Sequence, residues 1–409
     1  MPCQHDSRVQ AGSRQLPHKL RVLFAIGDMA GGGSQRQLLG ILRLLDRSRF
    51  EPHLYLVSPG GELLPDVPAD VPVYIFRDRP AGRHWLTRGH AWWNRILAFR
   101  ARIADLAAVI REQQITVVYD RTYHMTLAAA PAVRRTRARR VSVIVADPKQ
   151  DFETNRERFA EYKRRLLRRA YHTADRVVAV SNGVRQAAID YYGLPAEKIV
   201  TLHNFFDIER IDRQMHEPLP PADVKRAGCF EIVAAGRLHP QKGFGYLLDA
   251  VRNLVQGRGC TQVHLRVLGS GPLEAELRTT ISRQALQSHV TLAGFRHNPL
   301  PYFRQADLFC LSSLYEGHPN ALVEAMLCGV PVLATDCPSG PFEILVGGKF
   351  GRLVPPANPR ALADAIEDAL LHYPQWQSHV AAARTHIMET SSPAAGIQRL
   401  QDLLRSVVQ

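Results

Sequence analysis

The amino-acid sequence predicts an α/β protein made of two doubly wound, Rossmann-like domains. At 409 residues the chain exceeds the size at which a single hydrophobic core stops growing, so two domains are expected. Short apolar runs rich in Val, Ile and Leu alternate with longer helical patterns, as in parallel sheets that helices cover on both faces. The alternation runs through the chain twice, and each run therefore predicts one domain.

The apolar runs supply the strand candidates in order. In the first half they are residues 20–26, 53–58, 71–76, 116–120, 141–146, 176–181 and 199–203. In the second half they are residues 231–236, 264–269, 290–294, 308–312, 330–335 and 351–354. Between the two sets, the Pro-rich polar stretch 215–228 is typical of an inter-domain linker.

These elements predict the division of the chain. We expect an N-terminal domain over 19–210, a linker over 211–229, a C-terminal domain over 230–385 and a C-terminal helix over 386–409 that packs back on the N-terminal domain. Residues 1–18 are polar and contain no apolar segment of the kind that a signal peptide needs. We expect them to form a disordered lead-in.

The composition excludes several classes of protein. Hydrophobic residues make up 45% and charged residues 22% of the chain, the balance of a soluble globular protein. No apolar stretch is long enough for a membrane helix. The six cysteines form no C-x-x-C pair, which favours buried, reduced thiols in a cytoplasmic protein over a zinc site or a disulfide framework.

The net charge of +14 is concentrated in the first half of the chain. Residues 1–205 contain 33 basic and 19 acidic residues, whereas residues 206–409 contain 19 of each. Basic clusters lie at 134–140 and 163–169. Such an excess suits either an anionic membrane surface or nucleic acid, but we find no helix-turn-helix, RNP-like or zinc-finger pattern and do not expect nucleic acid as a partner.

The segment 83–112 adds aromatic residues to this basic half. It places Trp85, Trp92 and Trp93 among several arginines, and Arg with Trp on an amphipathic helix suits the membrane interface. We therefore expect peripheral binding to the cytoplasmic face of an anionic membrane. The alternative is that these aromatic side chains pack into the N-terminal core while the arginines are solvated.

A glycine-rich turn follows the first predicted strand. Gly31 to Gly33 precede a helical pattern that Ser34 opens. Glycines let backbone N–H groups approach an anion, and the helix N-terminus adds positive potential, so the turn suits a phosphate or an acceptor group. The alternative is a tight strand-to-helix turn. The spacing is not G-x-G-x-x-G, which disfavours a dinucleotide site.

Two cations follow the first strand of the second half. In A-A-G-R-L-H-P-Q-K-G, Arg237 and Lys242 come just after the strand 231–236. The carboxyl ends of parallel strands border the crevice in which α/β sheets bind ligands. A guanidinium and an ammonium there suit a diphosphate, and a solvated loop is the alternative.

The segment 312–345 contains two carboxylates near a predicted helix start. Gly317 and Pro319 place Glu316 in a loop, and Asn320 is expected to be the N-cap of a helix over 321–327 that carries Glu324. Carboxylates accept hydrogen bonds from hydroxyl groups, and the helix N-terminus attracts a phosphate. The pair therefore suits a polyhydroxylated anionic ligand, although acidic residues are also common near helix starts on protein surfaces.

Three motifs together resemble the large retaining glycosyltransferase family 4, which has the GT-B fold. They are G-R-L-x-P-x-K-G at 236–243, L-G-S-G-P-L-E at 268–274 and Y-E-G-x-P-N-A-L-x-E-A-M-x-C-G-x-P-V at 315–332. The resemblance implies two domains that face each other across a cleft. It also implies transfer of a sugar from a nucleotide-diphosphate sugar, with a UDP-sugar favoured, to a lipid-linked or saccharide acceptor. The segment 336–345 is similar to members that build cell-surface polysaccharides or glycolipids.

The resemblance also implies roles for residues at matching positions. Arg237 and Lys242 would hold the donor diphosphate, Glu316 the hydroxyls of the transferred sugar and Glu324 the ribose hydroxyls. Further donor-binding positions are Gly32, Gly33, Gly269, Gly271, Phe295, Arg296, His318, Pro319, Asn320 and Ala321.

The acceptor side departs from the family pattern. Many members carry an H-x-H-like pair after the fourth N-terminal strand, whereas this chain reads Y-D-R-T-Y-H-M-T at 119–126, with His124 as the single histidine. We expect His124 to join Glu316, Arg237 and Lys242 as a catalytic residue, with a structural role as its alternative.

The sequence predicts catalysis without a metal or another cofactor. It contains no D-x-D motif, so the protein's own cations are expected to neutralise the diphosphate, and the nucleotide sugar serves as a co-substrate. Two other functions remain open: a nucleotide-sugar epimerase or hydrolase of the same fold, and a catalytically silent binding protein.

Overall fold

The computed structural model describes residues 19–76, 92–154 and 159–409. The predicted lead-in at 1–18 lies outside these residues, as do Trp85 and the side chains of Trp92 and Trp93. The membrane prediction for this Trp-rich segment therefore falls largely outside the described part of the chain. Within the described part, no helix is both long and apolar enough to cross a bilayer.

The described residues of the first half form a sheet of seven parallel strands in the order β3-β2-β1-β4-β5-β6-β7. The strands are β1 (Leu20–Ile26), β2 (Phe50–Leu56), β3 (Val73–Ile75), β4 (Val117–Arg121), β5 (Arg139–Ile144), β6 (Arg176–Ala179) and β7 (Ile199–Thr201). The strand order reverses between β1 and β4, and a crevice therefore opens beyond their carboxyl ends.

Helices cover both faces of this sheet. They are α1 (Gly33–Leu44), α2 (Trp92–Glu112), α3 (Tyr123–Val133), α4 (Pro148–Thr154), α5 (Ala160–His172) and α6 (Asn182–Tyr192). Successive side chains of β1 enter two separate cores: Phe24 packs in the cluster that contains Leu38 of α1, whereas Leu23 packs in the cluster that contains Leu106 of α2. This explains why β1 is apolar throughout rather than alternating.

The second half forms a sheet of six parallel strands in the order β10-β9-β8-β11-β12-β13. The strands are β8 (Phe230–Ala235), β9 (Val263–Leu268), β10 (Val290–Gly294), β11 (Leu308–Leu311), β12 (Val332–Thr335) and β13 (Arg352–Val354). The order reverses between β8 and β11. The predicted class, two doubly wound α/β domains, is confirmed, and each predicted strand is present.

The second half also contains most of the shorter helices. They are α7 (Ile208–Gln214), α8 (Phe244–Arg252), α9 (Glu274–Arg283), α10 (Leu300–Gln305), α11 (Asn320–Leu327), α12 (Pro341–Ile344), α13 (Pro359–Leu371), α14 (Tyr373–Gln377), α15 (Val380–Thr390) and α16 (Pro393–Ser406). Helix α16 returns to the N-terminal domain, where Leu400 and Leu404 are fully buried in the same core as α1.

The chain crosses between the domains earlier than the predicted linker. Phe205 packs in the N-terminal core, whereas Phe206 and Ile211 pack in the C-terminal core. The segment 211–229 does not bridge the domains, because it packs along the C-terminal one, where Asp223 forms ion pairs with Arg266 and other groups.

The second crossing lies beside the first. The Phe206 N–H donates to the carbonyl of Ser391 at 3.1 Å, just before α16 begins. The predicted boundary between 385 and 386 falls inside α15, whose Ile387 packs in the C-terminal core. Apolar residues of α15 and α16 follow similar helical periods, and the sequence pattern therefore does not reveal which domain each helix packs on.

Candidate active site

A cavity of about 670 Å³ lies between the two domains, at the carboxyl ends of both sheets. This volume is within the range of small-molecule sites in proteins. Both domains line it, and its walls include residues after β1 and β4 on one side and after β8 and β11 on the other. The two crevices predicted by the strand orders therefore open into one shared space.

Two cations stand on the C-terminal wall. Arg237 follows β8 and is exposed to the cavity, and within the described ranges it makes no ion pair. Lys242 ends a one-turn 3-10 helix, and its Nζ lies 2.5 Å from Oε1 of Glu316. Gly243 follows with φ +62°, and a Cβ there would lie 2.1 Å from the carbonyl oxygen of Ser312. Only glycine allows this turn, which brings Lys242 into the cavity.

Glu316 is held in a fixed position after β11. Its side chain is buried and accepts a hydrogen bond from Ser313 Oγ at 2.6 Å as well as the contact with Lys242. The next residue, Gly317, packs so closely on the N-terminal domain that a Cβ would lie 2.0 Å from the carbonyl oxygen of Val145. The loop that carries Glu316 is therefore also a contact between the domains.

Asn320 does not cap helix α11 as predicted. It is the first residue of that helix, the N-cap position is Pro319, and none of the described side chains caps the helix. The Asn320 amide instead joins the domains, since its Oδ1 accepts from Asn204 Nδ2 at 2.7 Å and its Nδ2 donates to the Gly33 carbonyl at 3.0 Å. A long-range partner of this kind overrides the local capping preference.

Glu324 lies one turn into α11 and faces the cavity. Burial raises the pKa of its carboxyl group, and the positive charge of Arg36 partly opposes that effect. Ala321 lines the same wall. Helix α11 therefore presents an acidic side chain and its free N–H groups to one volume.

His318 lies between Glu316 and Glu324 in the sequence and lines the same cavity. Burial, followed by the nearby His203, lowers the pKa of its imidazole to about 3, so the ring is neutral at physiological pH. Its Nδ1 is buried and has no hydrogen-bond partner in the described part of the chain.

The edge of the cavity near β10 holds Phe295 and Arg296. Arg36 donates to the carbonyls of Arg296 and His297, both at 3.1 Å, and its guanidinium lies 5.8 Å from the centre of the Phe295 ring. The Arg296 guanidinium itself binds Asp223 and Tyr302. Because its guanidinium is already bound, Arg296 is more suited to contact a ligand through its backbone than through its side chain.

The two predicted floor glycines differ in position. Gly269 lines the cavity with φ +139°, and a Cβ there would lie 1.9 Å from the carbonyl oxygen of Gly236. Gly271 is not among the described residues that line the cavity, and a Cβ there would lie 2.5 Å from the carbonyl oxygen of Leu238. The structure therefore places Gly271 in close backbone packing and not at the ligand contact that was predicted for it.

The N-terminal wall is formed by the turns after β1 and β4. Gly32, Gly33 and His124 all line the cavity. The centres of the His124 and Tyr123 rings lie 4.0 Å apart. Thr122 has φ +75°, a strained value for a β-branched residue, and it immediately precedes α3. The structure thus brings every predicted site residue except Gly271 to one cavity.

Sequence reasoning missed Arg121, Ser34 and Asn204 as residues of this site. Arg121 lines the cavity with only 3% of its surface exposed, and its Nε donates to Ser34 Oγ at 3.1 Å. The available signal was its position at the carboxyl end of β4, one of the two strands between which the strand order reverses. Among the described residues, no group of three or more His, Cys, Asp or Glu side chains is arranged to hold a metal ion.

Both halves of the chain match models of known families. Residues 31–210 match the family described as Glycosyltransferase Family 4, and residues 229–372 match the one described as Glycosyl transferases group 1. Together the two matches cover most of the chain.

Individual proteins match over part of their length. The chain is 29% identical over 205 residues to N-acetylgalactosamine-N,N'-diacetylbacillosaminyl-diphospho-undecaprenol 4-alpha-N-acetylgalactosaminyltransferase of Campylobacter jejuni, covering 50% of this chain and 53% of that protein. It is 35% identical over 183 residues to the putative colanic acid biosynthesis glycosyltransferase WcaL of Escherichia coli, covering 42% of each chain. The chain therefore spans about half the length of the curated relatives that it matches.

Solved structures resemble the whole chain. The complex of HepE from Anabaena with UDP-glucose has a TM-score of 0.77 at 23% identity and covers 95% of this chain and all of that one. Sucrose-phosphate synthase from Thermosynechococcus elongatus has a TM-score of 0.76 at 16% identity, with 95% and 99% covered. At these identities the likeness establishes the fold.

Proposed function

The chain belongs to the family 4 and group 1 glycosyltransferases and has their GT-B fold, and from this premise we propose that it transfers a sugar, with retention of configuration, from a nucleotide-diphosphate sugar to a lipid-linked or saccharide acceptor. One observation carries the proposal. Arg237 and Lys242 follow β8, Glu316 follows β11 and Glu324 lies on α11, and all four line one inter-domain cavity. Two cations for a diphosphate and two carboxylates for hydroxyl groups match the two halves of such a donor.

The names of similar proteins support the donor and acceptor classes. HepE has been crystallised with UDP-glucose, and the Campylobacter relative is named for an acceptor linked to diphospho-undecaprenol. We propose a UDP-sugar donor, a lipid-linked or saccharide acceptor and a role in polysaccharide biosynthesis for this chain on that support.

The proposed chemistry depends on a change of partner at Lys242. Without donor, its ammonium is neutralised by Glu316. A bound diphosphate would compete for that ammonium and release Glu316 to accept a hydroxyl of the transferred sugar. Negative charge grows on the leaving diphosphate as the glycosidic bond breaks, and Arg237 and Lys242 would stabilise it, at about 1.5–3 kcal/mol for each charge-assisted hydrogen bond.

Retention places the acceptor on the same face as the leaving group. The leaving phosphate could then take the proton of the acceptor hydroxyl, with His124 on the N-terminal wall as the acceptor-side residue. Closure of the cleft would exclude water and suppress hydrolysis of the donor. We propose that no metal is needed, since the two side-chain cations can carry the diphosphate charge.

We also propose that the basic half binds the cytoplasmic face of an anionic membrane. Helix α5, which contains the basic cluster at 163–169, exposes Tyr162 and Leu166 on the same face as Arg165 and Arg169. Apolar side chains flanked by arginines suit a membrane interface. The cluster at 134–140 contributes less than its sequence suggests, because Arg140 is buried against Asp120.

Co-sedimentation with vesicles checks the membrane proposal. We expect salt-sensitive binding to phosphatidylglycerol vesicles that weakens in the double variant R165E/R169E, because two of the exposed cations on the α5 face are then reversed. The variant R278E, on exposed α9 of the C-terminal domain, is the matched control. Equal binding of all three proteins would contradict the proposal.

A product assay tests the proposed reaction and its alternatives. We expect a panel of UDP- and GDP-sugars with a prenyl-diphosphate-linked saccharide to yield one extended product in EDTA, and NMR to show the donor's anomeric configuration retained. An epimerase or hydrolase would change the donor or release its sugar without any acceptor. A silent binding protein would leave both donor and acceptor unchanged. Donor conversion without an acceptor, or no conversion at all, would exclude the transferase function.

A further inference from the structure

Arg121 is a buried cation that the donor does not account for. It is the last residue of β4, it lines the N-terminal wall of the cavity, and 3% of its surface is exposed. Arg237 and Lys242, which are assigned to the donor diphosphate, stand on the other domain. The chemistry proposed above therefore leaves Arg121 without a role.

Two other cations of the cavity have carboxylate partners of a kind that Arg121 lacks among the described residues. Lys242 pairs with Glu316, and Arg296 pairs with Asp223. For Arg121, the described residues supply the Ser34 hydroxyl but no carboxylate. Burial lowers the pKa of its guanidinium, and the nearby Tyr119 hydroxyl opposes this effect. A buried cation without a counter-ion is costly, so a ligand that supplies one gains affinity.

A second buried arginine of the same domain illustrates the difference. Arg140 lies on β5 with 2% of its surface exposed, and its Nη1 lies 3.8 Å from a carboxylate oxygen of Asp120. Asp120 cannot serve Arg121 in the same way, since neighbouring residues of a strand point to opposite faces. Its two oxygens are bound by Thr126 and Ser142 in the core.

The surroundings of Arg121 carry positive potential. Helix α1 begins at Gly33, beside Ser34, and helix α3 begins at Tyr123, two residues after Arg121. Neither helix has an acidic residue in its first turn. The free N–H groups of both helices therefore add to the charge of the guanidinium in the same part of the cavity.

We infer that Arg121 and Ser34, at the starts of α1 and α3, form an anion subsite for the acceptor. The subsite would bind a phosphate or a carboxylate of the acceptor through the guanidinium fork, opposite the donor diphosphate on the C-terminal wall. A lipid-linked diphosphate and an acidic sugar both supply such a group. The inference rests on the proposed transferase function and names the chemistry of its acceptor.

Binding measurements with R121M and R121K test this inference. The protein is saturated with UDP or GDP, whichever stabilises it more, and titrated calorimetrically with geranyl diphosphate and separately with glucuronate. We expect the wild type to bind at least one of these, R121M to bind it about 10- to 100-fold more weakly and R121K to fall between them. The variant R185M is the matched control, because Arg185 binds the carbonyls of Ala196 and Ile199 away from the cavity.

The two probes also distinguish the two sources of the anion. Preference for geranyl diphosphate supports a lipid-linked diphosphate, and preference for glucuronate supports an acidic sugar. We further expect ligand-free R121M to unfold at a urea concentration no lower than the wild type, because the substitution removes an uncompensated buried charge. A structural role would instead make R121M less stable.

Three results would overturn the inference. They are equal anion affinity in wild type and R121M, weaker UDP binding by R121M than by R185M, and destabilisation of ligand-free R121M. Failure of the wild type to bind either nucleotide would count against the proposed function itself. UDP binding without any Arg121-dependent anion binding would overturn the subsite alone.

Discussion

At the residue scale, the central contact of the site is the pair between Lys242 and Glu316. Nζ of Lys242 and Oε1 of Glu316 lie 2.5 Å apart, and the two side chains are 18% and 6% exposed, respectively. A buried pair contributes little over an apolar substitute, but loss of one member leaves the other charge buried alone. Removal of either charge in the donor site should therefore lower the stability of the whole protein.

A double-mutant cycle tests this coupling. We expect K242M to lose about 3 kcal/mol of unfolding free energy in urea, because the buried Glu316 side chain then loses its cationic partner. The double variant K242M/E316Q is the control and should regain part of that loss, since the buried charge is then removed as well. K242M with the stability of the wild type would show that the pair is not buried as described.

Sequence patterns at this scale reveal residue type and rough place but not partners. Arg237, Glu316 and Glu324 lie where strand ends and loop breakers predicted them, at the cavity wall. The contact between Lys242 and Glu316 joins residues 74 positions apart, and local spacing carries no sign of it. Sequence reasoning missed Arg121 because its burial and its contact with Ser34, 87 positions away, are set by the fold.

At the element scale, glycines allow the loops of one domain to touch the backbone of the other. Gly317 packs against Val145, and Gly183 at the start of α6 packs against Ser339. Such contacts need a missing side chain rather than an unusual backbone angle. The Gly317 contact holds the loop with Glu316 against the N-terminal domain.

The variant G317A is expected to open this contact. Its Cβ would lie 2.0 Å from the carbonyl oxygen of Val145, so the domains must separate or the loop must shift. We expect turnover to fall at least about tenfold and small-angle scattering to report a larger radius of gyration. The control G245A has open space around its Cβ in α8 and should keep wild-type turnover. Equal turnover of both variants would exclude a role for the close approach.

Glu343 of the C-terminal domain caps helix α6 of the N-terminal domain. Its carboxylate accepts from the N–H groups of Asn182 at 3.0 Å and Gly183 at 2.6 Å, and His203 lies 3.4 Å away. Desolvation acts to raise the pKa of Glu343, but the hydrogen bonds from His203, Gly183 and Asn182 outweigh it and lower the pKa below its ordinary value of 4.5.

The contact between Glu343 and the start of α6 should weaken in acid. A carboxyl whose folded-state pKa is lowered stabilises the fold fully above its unfolded value of about 4.5, and the contribution is lost as pH falls through the lower folded value. We expect E343Q to melt below the wild type at pH 7, with the gap narrowing as pH falls below about 4.5. The exposed control E389Q should follow the wild type. A gap that is constant with pH would contradict the assignment.

The strands were more predictable than the joints between elements. Parallel strands buried on both faces are apolar throughout, and that signal marked each of them. The crossings at Phe205–Phe206 and near Ser391 carry no composition signal, whereas the Pro-rich stretch 215–228 does and yet packs along one domain. Composition indicates where a chain is irregular, and packing decides which domain it joins.

At the scale of the whole molecule, the chain end belongs to the core of its first half. Leu400 and Leu404 of α16 are fully buried in the N-terminal core, although they follow the entire C-terminal domain. Gly396 lies against Phe205, where the chain first crosses. The two crossings therefore tie the domains together at one edge of the cleft.

We expect L404A to destabilise the N-terminal domain by about 2–5 kcal/mol in urea unfolding, through the lost burial and the cavity that it leaves. The control L371A removes a leucine that is 67% exposed on α13 and should change stability by less than about 0.5 kcal/mol. Similar effects of the two substitutions would mean that α16 does not pack as described.

The proposed reaction requires a donor diphosphate to bind between the domains on the cations of the C-terminal wall. Calorimetric titration of wild type and R237M with UDP and GDP in EDTA tests it most directly, because Arg237 has no ion pair among the described residues and its removal should leave the fold intact. We expect the wild type to bind one nucleotide without a metal and R237M to bind it about 10- to 100-fold more weakly at unchanged stability. Equal affinity of the two proteins, or binding that requires a divalent cation, would exclude this mode of donor binding.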